Sequence, residues 1–391
     1  FWCHPQKLWN SRDWGEISVV IEPPEPGSHS GRLVLGLESS SGRVEFDLDS
    51  LRTFVMFSPQ DRVNLDYKAS YPEKIAGGPR RRGVMSPHKI TYEDLKTLHE
   101  WNVNLVRAQM SRNWGAVGTE LDLEEWDGWL AGKLDNLEQA MDWGREFGIR
   151  FVIDLHCPPG GRNTPDNMRM FNEKKYGDHF IEVWKRISTR FKGHSQLYAY
   201  NLINEPVQSL PALPDYDYWN LQRRAAEAIR EIDPDTPIIV ACAVGGNPVG
   251  FGSLRPIDVP NTIYTVHCYL PHGYTHQGVH GAKMVGAYPG VKHDGRVWNK
   301  EMLRRSLEPV VKFQQQYKVP IYVGEFGAAR WAPGAEQYLA DYIDLFEEYG
   351  WDWTYHAFRE WDGWSAEHST DPDDKTRYES TPRMKLLTDY M

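Results

Sequence analysis

The sequence predicts an α/β chain: a (β/α)8 TIM barrel preceded by a small β-rich N-terminal extension. Three observations predict it. From residue 83 onward eight short apolar, β-prone runs recur, most of them separated by stretches of helical periodicity, and such alternation builds a parallel sheet with helices outside it. The chain has 391 residues, enough for a barrel of about 250 residues plus a further module. No G-x-G-x-x-G follows any run, which argues against an open dinucleotide-binding sheet.

Residues 1–76 differ from the remainder. Ile17 to Ile21, Arg32 to Leu37 and Val44 to Leu48 are β-prone runs divided by P-P-E-P-G-S-H-S-G and S-S-S-G, which reads as a small antiparallel extension or accessory unit that either packs on the barrel or binds sugar. Gly77 to Arg82 is the expected junction, and 77–391 the catalytic barrel. Its strands are expected at Gly83 to Ser86, Leu105 to Met110, Phe151 to Cys157, Ala199 to Asn204, Ile238 to Ala243, Ile263 to Tyr269, Ile321 to Glu325 and Thr354 to Phe358. Helical signals lie between them. Thr91 with Asp94 has the form of a capping box. Leu134, Leu137 and Met141 recur at helical spacing and stop near Gly148. Phe180, Val183, Trp184, Ile187 and Phe191 form a stripe before Gly193; Ala225, Ala228, Ile229 and Ile232 form one before Asp233. Tyr338, Leu339, Tyr342, Ile343 and Phe346 precede Gly350, and Thr381 to Tyr390 closes the ring as an eighth helix.

Composition narrows the function. A net charge of −10 argues against nucleic acid or an anionic membrane as partner, and no run of about 18 apolar residues spans a bilayer. Trp occurs 16 times, and flat rings suit sugar faces. Cys3, Cys157, Cys242 and Cys268 lack C-x-x-C spacing, so no zinc or redox motif is read, and buried thiols are expected. His272, His276 and His280 have helical spacing, but Pro271, Gly273 and Gly278 argue against a helix and hence against a metal set. No cofactor and no metal are expected. The chain opens at Phe1 without Met, which suggests a processed N-terminus; a secreted or periplasmic monomer is expected.

In a barrel the working residues sit at the C-terminal strand ends. Those ends carry Arg107, His156, Asn204 with Glu205, His267 with Tyr269, and Glu325, with Trp361 beyond the last strand. Glu205 and Glu325 each end an apolar run, in Y-N-L-I-N-E-P-V and P-I-Y-V-G-E-F-G. An ionised carboxylate at the buried end of a strand is costly unless it is paired or put to use. Two facing carboxylates suit cleavage of a glycosidic bond, one protonating the leaving oxygen while the other attacks or activates water. Arg107 is a permanent cation able to keep a Glu ionised, and Asn204 offers an amide to a sugar 2-hydroxyl.

The ordered set resembles glycoside hydrolase family 5, the cellulase and mannanase family of retaining (β/α)8 enzymes. It comprises N-E-P after the fourth strand, G-E-F-G after the seventh, Arg near the end of the second, D-L-H after the third, H-x-Y after the sixth and Trp beyond the eighth. The resemblance covers residues 82 to 391. It implies that Glu205 is the acid/base and Glu325 the nucleophile. It also implies that Arg107, His156, Asn204, His267, Tyr269 and Trp361 surround the reacting sugar. Arg107 leads into Ala108, Gln109 and Met110, where many members have an apolar residue and Pro. The long inserts Ser111 to Gly132, Cys157 to Asp178 and Pro271 to Trp298 are expected to wall the cleft, where Trp114, Trp126, Trp129 and Trp331 either line outer subsites or serve ordinary packing.

The expected substrate is a neutral polysaccharide or oligosaccharide, first a β-1,4-glucan; mannan, xyloglucan or exo-acting alternatives share the scaffold. Two rivals belong to other classes. A metal-dependent barrel hydrolase using His156, His267 and a Glu lacks the H-x-H pairing it requires, and a non-catalytic carbohydrate-binding barrel has no need of both acids.

Overall fold

The structure, a computed structural model, describes residues 80–391. The expected β-rich extension, Cys3 and the first half of the junction lie outside the described residues. Eight parallel strands close a barrel: β1 (Arg82–Met85), β2 (Leu105–Gln109), β3 (Arg150–Asp154), β4 (Leu197–Asn201), β5 (Ile238–Ala241), β6 (Thr262–Cys268), β7 (Ile321–Phe326) and β8 (Asp352–Tyr355). β1 pairs with both β2 and β8, so neither edge is left open.

Around it run α1 (Tyr92–Glu100), α2 (Leu123–Phe147), α3 (Lys174–Phe191), α4 (Tyr218–Ile232), α5 (Lys300–Ser306), α6 (Glu308–Tyr317), α7 (Ala335–Tyr349) and α8 (Pro382–Tyr390). Their ends obey local chemistry. Thr91 and Asp94 form the capping box of α1. Gly148, at a φ of 67°, ends α2. Thr381 Oγ1 accepts from Met384 N at 3.0 Å to start α8. Between β5 and β6 a 3-10 turn, Pro248–Gly252, stands where the other units have a helix.

Every barrel strand was expected, but β3, β4, β5 and β8 were expected to run two or three residues too far at their C-terminal ends. Leu155, Leu202 and Ile203 are fully buried yet lie past the last paired residues. Burial there comes from the barrel mouth rather than from the ladder, and hydrophobicity alone does not separate the two. The inserts are also more regular than expected: α2 takes residues 123 onward, and Arg162–Thr164 pairs with Asn167–Met168 as a hairpin. His272–Thr275 makes one helical turn despite Gly273, which brings the His272 and His276 rings into a stack at 3.8 Å.

Inside the barrel, side chains alternate. Leu105, Val152, Ala199, Ile239, Ile263 and Tyr322 form an inner apolar layer. Two residues further along β2, β3 and β4 come Arg107, Asp154 and Asn201, each fully buried. The period of two that builds the core therefore delivers a polar layer directly beneath the mouth.

Candidate active site

Arg107 organises that layer. Its Nη1 meets Glu325 Oε1 at 2.5 Å and its Nη2 lies 3.0 Å from Asp154 Oδ1. Nη2 also donates to Asn204 Oδ1 at 2.7 Å and to Asn201 Oδ1 at 3.2 Å. Burial works against the guanidinium charge, but Asp154 and Glu325 outweigh it and hold the proton more tightly than usual. The side chain is wholly enclosed, so Arg107 reaches the cavity only through partners such as Glu325.

β7 reaches the mouth through an irregularity. The register against β6 shifts between Val323 and Glu325, and a Cβ at Gly324 would lie 2.6 Å from Thr265 Oγ1 and 2.8 Å from His267 Nε2. Glycine there lets His267 and Glu325 sit side by side. Glu325 is 3% exposed. Its Oε2 accepts from the Tyr269 hydroxyl at 2.8 Å, with His267 Nδ1 at 3.7 Å and His356 Nδ1 at 3.8 Å. Burial pushes its carboxyl up, yet His267, Arg107 and His356 together hold it well below the usual carboxylate range. Burial beside Glu325 and Glu205 likewise drives the Tyr269 hydroxyl far up, so it stays a donor.

Glu205 is differently held. Its φ of 44° lies in the left-handed region, costly for a side chain with a Cβ, and there the chain turns out of the mouth before Pro206. Its carboxylate keeps 22% of its exposure and meets His267 Nδ1 at 2.8 Å. His267 Nδ1 and one oxygen each of Glu205 and Glu325 all lie within 4.8 Å of one another. These three groups are also the ones that could share a cation, but Arg107 already neutralises Glu325 and repels a dication.

His156 sits beneath, with Nδ1 2.8 Å from Asp154 Oδ2 and Nε2 3.1 Å from Asn204 Nδ2. Those partners place the ring proton on Nδ1, so that Nε2 accepts from the amide. Asn204, expected at a sugar hydroxyl, thus turns its amide toward His156 and is 1% exposed. A cavity of about 340 Å³ covers the acids, walled by Trp114, Glu205, His267, Tyr269, Glu325 and His356 among others.

Seven of the eight expected residues therefore meet at one mouth. Trp361 lies off this cavity: it stacks on His280 at 6.1 Å, with Trp331 and Trp364 edge-on. β8 ends at Tyr355, three residues earlier than expected, so His356 enters the mouth and Trp361 falls on the outer loop. Sequence reasoning passed over Asp154, Asn201, His356 and Glu360. The first two were signalled by the inward alternation with Val152 and Ala199; the last two had no signal, because the strand end was misplaced. Trp114, for which sequence left an outer subsite and ordinary packing both open, presents its ring at the cavity with Arg162 stacked on it at 4.5 Å. Burial pushes the Cys157 thiol up to about 11 and the Cys268 thiol higher still, which disfavours a thiolate at either.

Comparison with known proteins agrees with this architecture. The chain is 27% identical over 299 residues to endoglucanase C of Acetivibrio thermocellus, which covers 68% of this chain and 84% of that one. Cellodextrinase A of Ruminococcus flavefaciens is 21% identical over 242 residues, covering 61% and 68%. Among solved structures, a mutant form of Thermotoga maritima Cel5A with cellobiose superposes with a TM-score of 0.62 at 21% identity, over 82% of this chain and all of that one. No described helix is long and apolar enough to cross a membrane. The family model for cellulase, glycosyl hydrolase family 5, matches residues 70–364, and with the barrel already in view the conclusion is plain: the chain belongs to that family and is a glycoside hydrolase.

Proposed function

We propose that the protein cleaves internal β-1,4 bonds of a neutral glucan with retention, with Glu325 as nucleophile and Glu205 as acid/base. One observation carries this reading: carboxylate oxygens of Glu205 and Glu325 lie within 4.8 Å across one mouth, the spacing that leaves no room for a water between an acid and a base, whereas inversion needs about 6.5–9.5 Å. Their environments divide the work. Glu325 is enclosed and held anionic, as an attacking group must be, and Glu205 is partly exposed, as a group exchanging protons with water must be.

Glu325 attacks the anomeric carbon while Glu205 protonates the departing oxygen; Glu205 then takes a proton from the water that releases the sugar from Glu325. The glucan assignment is supported by the names of the relatives, and a polymer substrate fits a secreted or periplasmic location. A screen of cellulose derivatives, mixed-linkage glucan, mannan and xyloglucan tests the substrate; cleavage of mannan alone would overturn the glucan assignment. Proton NMR of the first-formed sugar tests the mechanism. The β anomer is expected, and the α anomer refutes Glu325 as nucleophile.

The acid limb supplies a further expectation. Attack requires ionised Glu325, and its carboxyl is held well below the usual range. The limb of kcat/KM assigned to the free enzyme therefore falls below about pH 4, the ordinary carboxylate value. A pH–rate profile that already declines at pH 5 contradicts the proposed electrostatics.

A further inference from the structure

Behind Tyr269 lies a pair that the proposed mechanism does not use. His356 Nδ1 meets the Tyr269 hydroxyl and His356 Nε2 meets Glu360 Oε2 at 2.6 Å. The Trp364 ring covers the imidazole with centroids 5.5 Å apart. His356 and Glu360 keep only 13% and 17% of their side-chain exposure.

A proton count limits what this chain of bonds can do. Tyr269 has one proton and faces two acceptor positions, Glu325 Oε2 at 2.8 Å and His356 Nδ1. If Nδ1 is bare, it competes with Glu325 for that proton. If Nδ1 carries its own proton, it donates to the phenol oxygen, and the phenol proton stays on Glu325.

The geometry points to a positioning dyad: Glu360 keeps His356 doubly protonated, His356 donates Nδ1–H to Tyr269, and Tyr269 is thereby committed to Glu325. This deepens the reading above and rests on Glu325 as nucleophile. The titratable groups facing His356 are Glu360 on its own loop, Glu325 from β7, Glu205 from the loop after β4, Tyr269 beyond β6 and His276 from the insert. Burial opposes the imidazolium, but Glu360, Glu325 and Glu205 outweigh it and raise His356 above its ordinary value. Burial beside His272 and His356 lowers His276 to about 3, so it stays neutral and does not compete.

The sign follows. A raised His356 keeps Tyr269 committed until the pH climbs through the raised value; above it Nδ1 is bare and the bond to Glu325 weakens. Glu360→Gln removes the largest source of that raise and moves the transition down.

Two readings test the dyad in the full-length protein. The first is imidazole nitrogen NMR without substrate, with His356 assigned by its loss in His356→Gln. Both nitrogens are expected to be protonated at neutral pH, and Glu360→Gln is expected to lower the midpoint by about one pH unit or more. A singly protonated His356 at neutral pH, or a midpoint unmoved by Glu360→Gln, overturns the dyad. The second uses dinitrophenyl β-cellobioside in a Glu205→Ala background, where departure needs no acid and kcat/KM reports attack by Glu325. A basic limb is expected to remain and to shift down in Glu360→Gln by the same amount. A uniform loss of rate at every pH marks a merely structural Glu360 and sinks the proposal. Absence of any cellobioside turnover counts against the glucan reading instead, and the NMR midpoint still decides the dyad.

Discussion

Glu325→Ala is expected to lower turnover of a polysaccharide by about 10⁴-fold or more, since the proposed nucleophile is gone. Glu205→Ala is expected to lose about 10²–10⁴-fold on the same substrate, the usual worth of a positioned proton donor. The two variants separate further by chemical rescue. With azide and an activated aryl glycoside, Glu325→Ala has an empty nucleophile position on the α face of the sugar, so the product is the α-glycosyl azide. Glu205→Ala still forms the glycosyl-enzyme, and azide then enters from the opposite side to give the β-glycosyl azide. The same azide anomer from both variants, or the reverse pairing, would require exchanging the roles of the two acids.

This asymmetry arises from the chain around each acid. Glu325 arrives on a strand and is enclosed by Arg107, Tyr269 and the histidines. Glu205 arrives on a turn with positive φ, outside the ladder, with His267 as its hydrogen-bond partner. One imidazole thus faces both carboxylates, at 2.8 Å and 3.7 Å. A change at His267 is therefore expected to disturb both carboxylates.

The positions of these acids were legible because each interrupts an apolar run, and a buried charge without a task is too costly to place there by chance. Arg107 was legible for the same reason. What escaped was geometry that alternation does not encode. The outward drift of expected strand ends past Asn201 and Asp154 concealed that the last apolar residues are already in the mouth. At β8 the same error hid His356 and moved attention to Trp361. Asp154 sat within D-L-H, yet its bond to Arg107 depends on which face of β3 points inward, and that is settled only when β2 and β3 pair in register, Arg107 beside Val152.

Arg107→Met is the most severe change expected for stability. The side chain is similar in volume but leaves Asp154 and Glu325 buried without their shared cation. Removing one partner from such a group costs about 3–5 kcal/mol, which lowers Tm by roughly 5–10 °C in a barrel of this size. The pH dependence identifies the cause. Glu325 has a depressed carboxyl in the folded protein, so its contribution to stability is present above the unfolded carboxylate value and lost as pH falls through the depressed one. The deficit of Arg107→Met relative to the parent is therefore largest at neutral pH and narrows as the pH falls and the stranded carboxylates of the variant take up protons. Adding Asp154→Asn to Arg107→Met removes one of the two stranded charges and recovers part of the loss, while Asp154→Asn alone destabilises. Urea denaturation of the four proteins at neutral pH and at pH 3.5 measures these terms as a cycle. A deficit that stays constant with pH would mean that Arg107 supports the barrel by packing alone, and the account of an anionic Glu325 maintained by its neighbour would then have to be abandoned.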